Sequence, residues 1–468
     1  MPTKKLPIHK PPSRNTDELG LKGYGAQLYD GYIDDFGNVM RRPGLVELCD
    51  LGTSAAIDGL YWWDEESVAI AVSGTETHQI TGSDGTNSQI TGDYFESGAR
   101  PMFGNYGSTL YAANGGKIIS VTTSAVSEMA DADAPQTVTH VGVIDTYLLA
   151  NGTDGKMWYS NVGAPTDWDG DYVTAEVAYD NVNALIVGDM EINLIGRRSW
   201  EAYRNDGSTP FVRESQGYIE RGTTAPYTLA RCNGRWHLLD QYRQIIRIDG
   251  RTPVIVSDSI GKYLDGFSGV TDALGDFITV NGRAFYIITF KSEEITIALD
   301  LKNNYWYNWG WWDTNNAVHK HWRGNCACIS PLWNKVLIGD HSNGKVYYLD
   351  NSTYQDNSTT LKTLIRTEHI NWGTESRKKF CNRLTLRVKR TNVPNAASAV
   401  TMYCRYRDDG KTSWCTEKEI TLGDIGDTEF IGKVKRLGSY KSRQWEFYVT
   451  GNAALTIASI EENFDWGI

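Results

Sequence analysis

The chain has 468 residues, 40% hydrophobic and 12% aromatic, with a formal net charge of −11. That length and apolar content can fill two or three cores, which excludes a disordered chain. No run of 18 apolar residues is present, excluding a membrane-spanning helix, and 7 scattered Cys argue against a disulfide framework.

The opening MPTKKLPIHKPP carries lysines but no apolar stretch behind them, so the reading is a soluble chain without a visible secretion signal, its thiols reduced and mostly buried. The 46 Gly and 7 Met, beside 16 Trp and 26 Tyr, favour short strands joined by tight turns, hence an all-β protein. Residues 1–50 hold no repeat and read as an N-terminal arm with a strand or two. From residue 51 to 360 about seven stretches, starting near Tyr61, Phe103, His140, Asn183, Tyr227, Phe277 and Trp322, repeat one design of strand, turn and strand. Their spacing matches the ~40–50 residues of a four-stranded propeller blade. The prediction is a β-propeller of six or seven blades. Turn signals recur at Asn114-Gly115-Gly116, Asp154-Gly155, Asn233-Gly234, Asn281-Gly282 and Asn343-Gly344, read as the same place in successive units. Helical turns are considered only at Ser257–Phe267 and in AYDNVNALI (178–186). After Asp350, NSTYQDNSTTL reads as an exposed linker, open to proteases between Asp350 and Thr363. Residues 361–468 lose the blade spacing and alternate apolar with polar residues over long strands, which predicts a separable C-terminal β-sandwich.

Charge divides along the same boundary. From Leu361 to Ile468 there are 18 Lys+Arg against 13 Asp+Glu, leaving 28 against 44 in the remainder. The sandwich is therefore basic and the propeller acidic. Arg377, Lys378, Lys379, Arg383 and Arg387 form the candidate docking face, continued by Lys389, Arg390, Lys433, Lys435 and Arg436; a solvated sheet face is the alternative. His319, His321, Cys326 and Cys328 lie within ten residues, but the usual zinc-finger spacing between the cysteines is absent, and a Cys-x-Cys on a strand reads as core. No metal, cofactor or catalytic residue is assigned. In NNYWYNWGWWDTNN (303–316), Trp306, Trp309 and Trp312 are expected to pack between blades, with Tyr305 and Tyr307 at the rim. YRDDGKTSW (406–414) is similar to the S-x-D-x-G-x-T-W turn of sialidase-type propellers. However, Tyr406 stands at its Ser position and Ser413 at its Trp position, and nothing in the spacing makes Arg197, Arg198, Arg213 and Arg221 converge on a substrate.

Arg42-Pro43-Gly44-Leu45, MWYSNVGAPTDWDG (157–170), RRSWEAYRNDGSTPFVRESQGYIERG (197–222), WHLLDQYRQIIRIDGRTPVIVSDSIGKYL (236–264) and ALDLKNNYWYNW occur in an order that resembles the tail hub, or nozzle, proteins of short-tailed bacteriophages, also called packaged-DNA stabilisation proteins. RYRDDGKTSW and IGKVKRLGSYKSRQWEFYVTGNAALTIASIEENF extend the resemblance to about Phe464. It implies a non-enzymatic virion protein made in the bacterial host cytoplasm, commonly a hexameric tube under the portal and adaptor rings. Such a tube retains packaged double-stranded DNA, conducts it without sequence specificity, and carries tail fibres or tailspikes; a tail needle or plug is left open. The alternative is a glycan-binding or glycan-hydrolysing propeller.

Overall fold

A computed structural model describes residues 2–9, 26–175, 177, 180–188, 190–207, 211–391, 393, 399–424 and 429–467. Five sheets are four-stranded and separate, each built from consecutive antiparallel strands. They open with Ile57–Trp63, Met102–Tyr106, Val138–Ile144, Ala184–Gly188 and Ala230–Cys232, and are called blades 1 to 5. Blade 6 runs from Leu274–Val280 to Tyr305–Asp313. Blade 7 has Gly324–Ser330, Lys335–Asp340 and Lys345–Asp350, and its outer strand is Gly44–Asp50, paired in register from Lys345 opposite Asp50 to Asp350 opposite Gly44.

Apolar clusters join each blade to the next. Ile70 packs with Leu110, Ala113 with Leu148, Leu149 with Ile192, and Ile195 with Ile246. Leu239 then packs with Ile288, Ile287 with Ile338, and Leu337 with Ile57, which returns to blade 1. The ring therefore closes, and its blade number is seven.

Two corrections concern the ends of the propeller. The N-terminal segment is no free arm: Gly44–Asp50 completes blade 7, and Ala26–Tyr29 joins blade 6 to Thr363–Ile370. Meanwhile Thr3–Lys5, Gly31–Ile33 and Val39–Arg41 belong to the sheet of Ala454–Trp466. Nor is 351–361 an exposed linker, since Tyr354, Asp356 and Leu361 are buried. A Cβ on Gly44 would meet the Gln355 carbonyl oxygen at 2.1 Å, so the glycine of Arg-Pro-Gly-Leu is where two backbones cross.

The C-terminal region is a two-sheet sandwich. One sheet orders Gly31–Ile33, Val39–Arg41, Ala454–Trp466, Lys379–Thr391 and Glu429–Lys435. The other continues blade 6 through Ala26–Tyr29 into Thr363–Ile370, Arg443–Val449, Ala399–Asp408 and Lys418–Asp424. Leu384, Leu386 and Ile457 of the first face Cys404, Trp445 and Phe447 of the second, in the same cluster that holds Phe285 and Trp309 of blade 6. Shared sheet and shared core make the two regions one packed body.

Local signals were placed less uniformly than expected. Asn233-Gly234 and Asn281-Gly282 join the first and second strands of their blades, with φ of 50° and 78°, and 51° and 74°, suited to tight hairpins. The turns at 114–116, 154–155 and 343–344 instead join second to third strands. Helical turns occur at Asp258–Ile260 and Gly261–Asp265; in the other candidate Ala178 and Tyr179 lie outside the described residues, and Ala184 opens a strand. No helix among the described residues is long and apolar enough to cross a membrane.

Candidate docking face and the bridged propeller axis

Strand Lys379–Thr391 presents the basic residues by simple alternation: Leu384, Leu386 and Val388 are buried, whereas Arg387 and Lys389 are exposed and Arg383 half-buried. Arg383 stands opposite Lys435 and Thr385 opposite Lys433, so cations from two strands form one stripe. Arg387 Nε lies 3.9 Å from Glu461, a contact of little energetic weight at such exposure. Arg377 and Lys378 are exposed beside this strand, with the Arg377 guanidinium 5.6 Å from the Trp466 ring.

Lys379 does not belong to the face. It is fully buried, and its ammonium donates to the carbonyls of Thr374 and Lys441, the latter at 2.6 Å. Burial lowers its pKa. A register shift between Cys381 and Arg383 reverses the alternation, so odd-numbered residues point inward before it and outward after it.

The axial space of the propeller is bridged. Arg100, just ahead of blade 2, forms an ion pair with Asp276 on the first strand of blade 6, and these blades are not neighbours. The Ala327 amide of blade 7 donates to the same carboxylate at 3.3 Å. His140 of blade 3 stacks on Tyr227, which precedes blade 5, at 5.5 Å and 14°. Burial raises the Asp276 pKa despite Arg100, and burial drops His140 to about 4, so His140 is neutral at pH 7. A duplex has no route through a space spanned by these contacts.

The other candidates disperse. His319 and His321 end the outer edge of blade 6, Cys326 and Cys328 lie on the first strand of blade 7, and Cys326 Sγ donates to the Ile57 carbonyl at 3.4 Å. Among the described residues no three His, Cys, Asp or Glu side chains form a metal-binding group. Asp408 and Asp409 sit in the sandwich; Asp408 binds Arg443, and Asp409 accepts the amides of Lys441 and Ser442. Arg221 pairs with Asp240 at 3.0 Å, whereas Arg197 lines a 570 Å³ polar mouth near Tyr227. Trp306 and Trp309 are buried as expected, but so is Tyr307, whose hydroxyl accepts the Ile33 amide; Trp312 is half-exposed in a cleft.

Where the chain crosses itself, Arg42 is central. Its Nε donates to Asp30 at 2.8 Å, Nη1 to Asp356 and the Pro43 carbonyl, and Nη2 to Asp356 at 2.6 Å and the Gly310 carbonyl. All five donors of the guanidinium are used. Arg41 beside it donates to the Leu361, Gly451 and Ala453 carbonyls and to Thr363. The arginine of the Arg-Pro-Gly-Leu signature thus ties the N-terminal segment to blade 6 and to 351–361.

A protein family described as bacteriophage P22 Gp10, beta-propeller, matches residues 36–354. The chain belongs to this family. The match ends within four residues of the last propeller strand and takes in the N-terminal strand that closes blade 7. Members of this phage stabilisation family are structural tail proteins, so this chain is a structural component of the virion. No curated protein matches it. Among solved structures, the WD40 β-propeller domain of Doa1 is 11% identical, covering 66% of this chain and 97% of that one, with a TM-score of 0.40. A chain of the mitotic checkpoint complex is 9% identical over 66% and 95%, at 0.41, and the computationally designed Ika8 protein is 12% identical over 65% and 99%, at 0.37.

Proposed function

We propose that this phage stabilisation protein is the repeating subunit of a tail hub or nozzle, six copies forming a tube below the portal and adaptor rings. The carrying observation is the family match over the propeller, joined to a fold in which propeller and sandwich share a sheet and a core. A block of that kind transmits load between a ring above and fibres or tailspikes at its side. Because each propeller axis is bridged, DNA passes between subunits, along the tube axis, in this reading. Cross-linking and mass measurement of isolated tails should give six copies; one copy per particle would refute the tube.

The exposed cations Arg377, Lys378 and Arg387, with half-buried Arg383 beside them, are proposed to dock the subunit onto an acidic neighbouring ring. Reversing the exposed Arg377, Lys378 and Arg387 to Glu should reduce assembly onto adaptor-bearing heads while leaving the unfolding transition within about 1 kcal/mol per site, since exposed charges contribute little. Raising salt should weaken wild-type assembly in the same direction, as the screening length is ~8 Å at 0.15 M. Equal assembly across variants and salt would leave the face merely solvated.

A further inference from the structure

Between blade 6 and the sandwich lies a 440 Å³ cleft whose walls include Trp312, His319, Lys362, Leu364, Arg366 and Arg405. Lys362 is 8% exposed, and its ammonium sits 3.7 Å from the Trp312 ring centre and 4.1 Å from that of Tyr448. Cation–π contacts of this kind hold a charge in place but accept none of its three hydrogens. Among the described residues, no oxygen acceptor lies within hydrogen-bond distance of that ammonium.

The surrounding charges are already matched. Glu446 accepts from Arg366 at 2.7 Å on one oxygen and from Arg405 at 2.7 Å on the other, and Arg405 also approaches Glu417 at 3.7 Å. Glu294 lies 3.6 Å from Lys320, and Glu293 turns to the Ser268 amide and hydroxyl at 2.6 Å. Arg366 and Arg405 face Glu446 and Glu417, and Lys320 faces Glu294; among the described residues, Lys362 is the cleft cation with no carboxylate at ion-pair distance. Burial drops its pKa to about 8, and the more distant Glu446 offsets that only in part.

The geometry points to a binding site for a carboxylate carried on an acidic segment of a partner protein, seated on the Lys362 ammonium between Trp312 and Tyr448. A single negative charge there would give Lys362 the direct counter-ion that its aromatic neighbours do not supply. A phosphate dianion would leave a second charge facing Glu446, Glu417 and Glu294. The ammonium is recessed, so a side-chain carboxylate on a flexible stem reaches it more readily than the backbone of a rigid duplex does. Half-exposed Trp312 and Tyr29 give the stem of such a side chain an aromatic wall. This site is independent of the tube reading, because it is a property of the isolated chain.

The test is calorimetric titration of the full chain with an acetylated, amidated hexapeptide alternating Ala and Glu, with its Gln counterpart, with inorganic phosphate and with a short DNA duplex. The Glu peptide should bind, and its Gln counterpart should bind at least about tenfold more weakly. K362M, which keeps the apolar stem, should weaken the Glu peptide by about tenfold or more without lowering the unfolding midpoint, because removing an unpaired buried charge is seldom destabilising. W312L, which opens one wall around the cation, should weaken it in the same direction and serves alone if K362M does not fold. No binding of the Glu peptide at millimolar concentration, or binding that ignores the Gln exchange or both variants, would overturn the assignment. Phosphate or duplex binding through Lys362 in place of the peptide would overturn the carboxylate in favour of a phosphate ligand.

Discussion

Replacing Arg42 by Met should cost about 3–5 kcal/mol of stability at pH 7, the usual consequence of removing one partner from a buried ionic network. Arg42 is 1% exposed, and both of its carboxylate partners, Asp30 and Asp356, are fully buried. Without the guanidinium those two charges stay inside with no cation to replace water, and the Gly310 and Pro43 carbonyls also lose a donor. The pH dependence separates charge from packing. In the wild type, burial alone would raise the Asp30 pKa, but Arg42, with His319 3.4 Å away, overcomes it and holds the carboxyl below its ordinary value. A depressed carboxyl contributes stability above the unfolded value, about 3.9, and that contribution is lost as pH falls through the folded pKa. In R42M the stranded carboxyls shift upward instead, and protonation relieves them as pH drops. Denaturant unfolding at pH 7 and pH 4.5 should therefore show a smaller deficit at the lower pH. A deficit independent of pH would assign the loss to packing alone.

The propeller was legible in the sequence because its signals are local: a turn dipeptide and its flanking strands lie within about twenty residues. What the sequence hid depends on distant partners. Gly44–Asp50 reads as a possible strand in an arm, and nothing near it says that its partner is Lys345–Asp350. NSTYQDNSTTL looks exposed because it is polar, yet Asp356 is buried against Arg42 and Tyr354 lies beneath the Arg41 guanidinium, 5.3 Å away. Two cations assigned to the basic stripe, Lys379 and Arg390, are buried, Lys379 because one register shift inverts which residues face solvent and leaves no mark in composition, and Arg390 because it falls on the inward parity of the strand. His319, His321, Cys326 and Cys328 were close in sequence but not in function. The chain travels from the outer edge of blade 6 to the first strand of blade 7 across Trp322 and Arg323, so residues five apart occupy different blades. Lys362 had no signal at all, since a single lysine before a strand is usually a solvated one.

Splitting the chain after Thr53 should yield two fragments that fold only together. The larger fragment, 54–468, would lack the outer strand of blade 7, leaving the backbone groups of Lys345–Asp350 along an open edge. It would also lack Arg41 and Arg42, and with them the guanidinium donors to the Asp356 carboxylate and to the Leu361 and Gly451 carbonyls. The shared core would lose Leu28, Tyr32, Ile33, Val39 and Leu45, each nearly fully buried. At roughly 1.5–3 kcal/mol for burying one such side chain, these losses exceed the 5–15 kcal/mol net stability typical of a domain once the charge network is included. Expressed alone, 54–468 should aggregate or show no cooperative unfolding. Co-expressed with 1–53 it should form a stoichiometric complex, because the pairing information lies in the backbone edge, the apolar residues and the arginine pair, none of which needs covalent continuity at Thr53. The fragment 1–53 carries one short hairpin, Gly31–Ile33 with Val39–Arg41, and strands whose partners lie elsewhere in the chain, so by itself it should show no stable structure by circular dichroism. Cooperative unfolding of 54–468 at the wild-type temperature would show that the N-terminal segment is an appendage after all, and that closure of the ring does not depend on it.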